Sequence, residues 1–141
     1  MSELLQKTYK RFKPLARERG LALSIETPES LYASVDREGL TKIISNLLTN
    51  AIKYSETYIR IRLYSEGERL LLSVCNDGLV IPVEMREEIF KPFIQYKTGT
   101  LRSVPGTGIG LALARSLAEL HEGTLCMEDR WRTTVSCCHF R

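Results

Sequence analysis

Asn46 and Asn50 stand four residues apart in the run Asn46-Leu47-Leu48-Thr49-Asn50-Ala51-Ile52-Lys53-Tyr54. On a helix, that spacing stacks two carboxamides one turn apart, and Lys53 follows three residues on along the same edge. An amide oxygen is a neutral, hard donor. Two of them in a stack suit a divalent cation that keeps several waters and is shared with a phosphate chain. A second set of residues points to the same chemistry. Gly106-Thr107-Gly108-Ile109-Gly110-Leu111 leads directly into an apolar run. Glycines at alternate positions let a ligand approach the backbone, and a helix start beyond them offers free N–H groups and the positive end of its dipole to an anion. No Lys-Ser/Thr pair follows these glycines, so this is not a Walker loop. They also lack the preceding strand of a dinucleotide fold. A third set is Asn76-Asp77-Gly78 at the end of an apolar strand-like segment. An amide or carboxylate oxygen there could accept a hydrogen bond from an exocyclic amine. The same three residues also make an ordinary Asx turn.

The elements that must position these residues are legible in the hydrophobic pattern. Residues 2–19 read as a helix ended by Gly20, with Pro14 expected to kink or split it. Leu21–Glu26 alternates like a strand, and Leu31–Val35 reads as a second short one. Asp36 stands at the N-cap position of a helix carrying apolar residues at 40, 43, 44, 47, 48 and 51, one broad buried face with Asn46 and Asn50 on its border. Tyr58–Ser65 alternates Ile59, Ile61 and Leu63 against Arg60, Arg62 and Tyr64. It turns at Glu66–Arg69 into the apolar strand Leu70–Asn76. Glu84–Glu88 reads as a short helix. Residues 94–106 show no clear period and carry Lys97 and Arg102, which suggests a mobile loop that could close over phosphates. Gly108–His121 is a helix, and Thr124–Glu128 with Thr133–Phe140 a final hairpin.

The 141 residues suit one domain with a sizeable core, and 43% hydrophobic with 26% charged residues is an ordinary globular composition. A net charge of +3 is too weak a bias to argue for nucleic acid and suits a domain holding a polyphosphate. Cys75, Cys126, Cys137 and Cys138 contain no C-x-x-C pair and read as reduced packing residues, consistent with a cytoplasmic setting. No apolar run is long enough to span a bilayer.

Taken together in order and spacing, these pieces resemble the ATP-binding catalytic domain of two-component sensor histidine kinases, in the superfamily shared with gyrase, Hsp90 and MutL ATPases. Asn46-x-x-x-Asn50-Ala51-x-Lys53-Tyr54-Ser55 is similar to the family's N box, and Asn76-Asp77-Gly78-x-x-Ile81-Pro82 to its first glycine box. Phe90-x-x-Phe93 is similar to its F box, and Gly106 to Ala112 to its second glycine box. The resemblance covers nearly the whole chain. It implies a two-layer α/β sandwich of the Bergerat type: a mixed sheet of about five strands, three helices on one face, and a mobile ATP lid over about residues 94–106. It implies ATP and Mg2+ as ligands, with Asn50 the main magnesium ligand assisted by Asn46. Lys53 and Tyr54 would contact phosphate or sugar, and Lys97 or Arg102 the terminal phosphate. The remaining nucleotide-binding positions implied are Asn76, Asp77, Gly78, Ile81, Phe93, Gly106, Thr107, Gly108, Ile109, Gly110 and Leu111.

The ATPase branches carry a glutamate at the position of Asn46 to activate water, and an amide cannot do that. The resemblance therefore implies transfer of the terminal phosphoryl group to another nucleophile, a histidine on a separate dimerisation domain, with a response-regulator receiver downstream. His121 and His139 lack the flanking residues of an acceptor motif and read as structural. The chain thus reads as the catalytic module of a parent sensor that could be anchored in the inner membrane. Two features depart from the family: Asn76 stands at the adenine-reading Asp position, and Val80 replaces a glycine. They leave a non-catalytic nucleotide-binding module as one alternative. A serine kinase of the anti-sigma-factor type is another, disfavoured by Asn46.

Overall fold

The computed structural model describes residues 2–27, 37–66, 69–78, 82–92, 94–97, 100–103, 110–120, 123–130 and 133–140. Helix α1 spans Ser2–Glu18 and buries Leu5, Thr8, Phe12 and Ala16, one residue per turn on one side. Pro14 does not split it. Its ring lies on the exposed side, where water can satisfy the carbonyl that loses its partner. The helix stops where Gly20 takes φ +71°. Leu21 N–H then bonds to Ala16 O at 2.9 Å and Gly20 N–H to Arg17 O at 3.0 Å, so the last carbonyls are paired.

The strand β1 (Ala22–Glu26) follows, then α2 (Arg37–Tyr54), β2 (Tyr58–Glu66) and β3 (Arg69–Asp77). Two short 3-10 turns, Val83–Met85 and Glu88–Phe90, stand where one short helix was expected. The strands β4 (Ile94–Lys97) and β5 (Thr100–Ser103), the helix α3 (Gly110–Leu120), and the strands β6 (Thr124–Arg130) and β7 (Thr133–Phe140) complete the chain. The strand expected at Leu31–Val35 and the cap expected of Asp36 lie outside the described residues.

Five strands form a mixed sheet in the order β1-β2-β3-β7-β6. β1 runs parallel to β2, and every other pair is antiparallel. Glu66 pairs with Arg69, so β2 and β3 are joined by the tight turn their alternation called for. Residues 94–106, read as lacking regular structure, contain an antiparallel ribbon instead, with Ile94 opposite Ser103 and Lys97 opposite Thr100. Its strands are four residues each, too short for alternation to register above noise.

All three helices contribute to one core. Leu40, Ile43, Ile44, Leu47, Leu48 and Ala51 of α2 meet Ile59, Ile61 and Leu63 of β2, Leu72 and Val74 of β3, and Leu125 of β6. Leu5, Phe12 and Ala16 close one side, and Ala114 and Ala118 of α3 the other. α2 is the central helix, packed between α1 and α3. Alanines on the buried face of α3 let it approach α2 closely, and that approach brings Gly110 toward Asn46.

The strictest local constraint lies just past β3. Gly78 has φ +120°, and a Cβ there would stand 2.3 Å from the Tyr54 carbonyl oxygen. Gly20 also has positive φ but faces open space. Gly78→Ala should therefore lower unfolding stability by about 3 kcal/mol or more, combining backbone strain with a backbone clash. Gly20→Ala should cost only about 1 kcal/mol. Chemical denaturation of the two variants side by side checks the difference.

Candidate functional site

The border of the α2 face is where the fold collects its polar groups. Asn46 and Asn50 are both half-buried, one turn apart, beside the fully buried Leu47 and Ala51. Neither carboxamide hydrogen-bonds to a described residue. Asn46 faces the first turn of α3: a methyl group added at Gly110 would stand 3.6 Å from its Oδ1. Asn46 of the amide pair and the first residue of α3 are therefore neighbours. Lys53 is exposed, its Nζ 5.4 Å from the centre of the half-buried Tyr54 ring. Leu111 is half-buried and packs against the core, anchoring the start of α3.

The other wall comes from the end of β3. Leu72, Val74 and Asn76 alternate onto the core face, with Asn76 only 9% exposed. Asp77 projects to the opposite side, where its carboxylate is taken up by the segment leaving α2. Its Oδ1 accepts from the N–H groups of Glu56 at 3.2 Å, Thr57 at 2.9 Å and Tyr58 at 3.0 Å. Its Oδ2 accepts from the Thr57 hydroxyl. Burial works to raise the Asp77 pKa, but these hydrogen bonds from Thr57, Tyr58 and Glu56 outweigh it and bring it down to about 2. With Gly78 against the Tyr54 carbonyl, Asp77 ties the first glycine-box segment to the end of α2.

A second tie was not visible in the sequence. Arg115 of α3 forms a two-pronged pair with Glu87, at 2.7 and 3.3 Å. It lies 4.7 Å over the buried ring of Phe90 and 3.8 Å from Glu119. The hydrogen bonds with Arg115 hold the Glu87 carboxyl below its usual range and raise the guanidinium pKa in turn. Arg115 thus joins α3 to the segment preceding β4. Nothing in the spacing of residues 28 apart signals such a pair. The resemblance marks Phe90 but names no partner for it.

Of the positions expected to bind nucleotide, Asn46 and Gly110 come together, as do Tyr54 and Gly78, Lys53 lies beside Tyr54, and the Asp77 carboxylate is taken up by residues 56–58. Lys97 lies at the end of β4 and Arg102 on β5, opposite Gln95. Ile81, Phe93, Gly106, Thr107, Gly108 and Ile109 lie outside the described residues.

This arrangement matches known proteins. Residues 35–141 match the family described as histidine kinase-, DNA gyrase B-, and HSP90-like ATPase. The chain belongs to that family, as a catalytic ATP-binding domain of the sensor histidine kinase kind. It is 34% identical to the sensor histidine kinase TmoS of Ectopseudomonas mendocina, over 92% of this chain and 14% of TmoS. It is also 34% identical to the sensor histidine kinase AruS of Pseudomonas aeruginosa, over 92% of this chain and 14% of AruS. The chain thus spans only about a seventh of the length of these relatives. Among solved structures, the catalytic domain of histidine kinase ThkA superposes with a TM-score of 0.86 at 30% identity, covering 99% of this chain and 91% of that one. No described helix is long and apolar enough to cross a membrane.

Two outcomes follow from the ties. A carboxylate whose pKa is lower folded than unfolded adds stability that is complete above its unfolded value, near 3.8, and is lost as pH falls through about 2. The thermal midpoint should therefore drop more steeply between pH 4 and pH 2 in the unmodified chain than in Asp77→Asn. For Arg115 and Glu87, largely exposed on the Glu87 side, a double-mutant cycle of Arg115→Ala and Glu87→Ala should give a coupling of about 0.5–1 kcal/mol.

Proposed function

We propose that this chain, as one domain, binds Mg-ATP and presents its terminal phosphoryl group to a histidine on a separate dimerisation domain, in a two-component pathway ending at a response-regulator receiver. The observation that carries this reading is the meeting of Asn46 with the start of α3. A neutral oxygen donor of the amide pair lies beside an anion-favouring helix end.

The donor set suits magnesium. Both amides are half-buried, one turn apart, and free of hydrogen bonds to described residues. Asn50 would be the main protein ligand and Asn46 the second. The ion, when bound, neutralises phosphate charge. This chain's own groups do the rest. Backbone N–H groups at the glycine-led helix start hold phosphate oxygens, and Lys53 lies within reach of the chain's outer charge. The ribbon β4–β5, carrying Lys97 and Arg102, acts within the ATP lid of about residues 94–106. Catalysis is positioning and charge compensation, because phosphoryl transfer asks little covalent chemistry of the protein.

Water is not activated. An Asn46 amide has no basic lone pair at neutral pH, so the site holds the phosphoryl group for an incoming imidazole. The structure of ThkA in complex with the response regulator TrrA, similar to this chain at TM-score 0.83 and 27% identity, supports a receiver as the downstream partner. The module acts on the cytoplasmic side, in a parent sensor that could be anchored in the inner membrane.

Titration with a non-hydrolysable ATP analogue, with and without magnesium, tests the reading. Binding should be magnesium-dependent in the unmodified chain, and Asn50→Ala should abolish that dependence. ATP turnover by the chain alone should be slow, and label should move to a dimerisation domain supplied in trans. Unaltered metal-dependent binding by Asn50→Ala would remove the assigned ligand.

A further inference from the structure

Strand register sets two of the four cysteines directly opposite one another: Cys126 of β6 pairs with Cys137 of β7. The other two have no cysteine across from them. Cys75 pairs with Arg60 and Val135, and Cys138 with Leu72 and Leu125. Directly opposed residues of an antiparallel pair share one face of the sheet. Their Cα atoms stand about 4.5 or about 5.5 Å apart, according to the hydrogen-bond pattern. A disulfide spans Cα separations of about 4.4–6.8 Å, so a pair of either kind is bridged with little backbone movement.

Place in the sheet separates this pair from the other cysteines. Leu125 and Leu72 lie in the core, and Cys138 is in register with both, on the core face. Strand alternation puts the positions of Cys126 and Cys137 on the opposite face. β6 is an edge strand, and Cys126 is half-buried, so a small reagent has access to it. Cys75 is also half-buried, but burial pushes its thiol pKa up, and the thiolate is the attacking species.

We propose that Cys126 and Cys137 form a reversible modification site, closing to an intrachain disulfide by exchange with a small-molecule disulfide and reopening with a thiol. One thiolate of the pair attacks a sulfur of the reagent, breaks its S–S bond and expels one thiolate. The second cysteine, as its thiolate, attacks the protein sulfur of the mixed disulfide, forms the Cys126–Cys137 bond and expels the other half. The two cysteines are oxidised and the reagent is reduced to two thiols, which take up the two protons the cysteines lost. The bond ties the edge strand to its neighbour beneath α3, because Leu125 shares a core with Ala114 and Ala118.

Oxidised glutathione, added to the folded chain without denaturant, tests this. Thiol titration after unfolding should show two of the four thiols lost, and all four regained with excess reduced glutathione. Tryptic mapping without reductant should join residues 116–130 to residues 133–141, with fragmentation placing the bond at Cys137. Cys75→Ser and Cys138→Ser should still form the link, and Cys126→Ser and Cys137→Ser should not. Four intact thiols, a stable mixed disulfide at either cysteine, a link between any other pair, or a link that reduced glutathione does not reopen overturns the inference. Mapping of the unsubstituted chain decides it even where a variant fails to fold.

Discussion

A carboxylate and a missing side chain hold the cleft in shape. Asp77 accepts three backbone N–H groups from the segment that leaves α2, and Gly78 lets the same strand end come against the Tyr54 carbonyl. The three N–H groups follow a helix end, where the chain has no ladder of its own to pair them, so one ionised side chain does the work of a strand partner. Because the sheet is fixed to α2 in this way, Asn76 on the strand and Asn50 on the helix are held at a set separation.

The polar groups of the cleft are neutral where they are most buried. Asn46, Asn50 and Asn76 border a core of leucine and isoleucine, and desolvating an amide costs far less than desolvating a carboxylate. Asp77 is a charged acceptor among the described residues there, and four donors compensate it. The choice of Asn at position 46 has a chemical consequence as well. An amide at that position supplies no base to activate water.

Much of the fold was legible from the residues. The apolar face of α2 appears at the six positions its periodicity named, and β2 pairs antiparallel with β3 and β6 with β7, as the expected hairpins require, with β6 running two residues beyond Glu128. Other features went unread for identifiable reasons. Pro14 forecast a break in α1, yet seventeen residues continue as one helix, because the proline sits on the wet side and the buried side carries the packing. The β4–β5 ribbon hid in a basic, glycine-containing stretch because four residues of alternation are too few to recognise. Arg115 gave no signal, since its partners Glu87 and Phe90 become neighbours only when α3 packs.

Residue types and spacing by themselves determined which helix carries the amides, which loop could meet an anion, and, through the resemblance, the family. Those properties are local or periodic and need only a few residues in register. The tertiary structure alone decided which of two adjacent residues lies on the core face and which braces the frame. Asn76 and Asp77 differ by one position on a strand, and strand alternation sends them to opposite faces. Only the arrival of α2 on one side and of residues 56–58 on the other assigns each face its task.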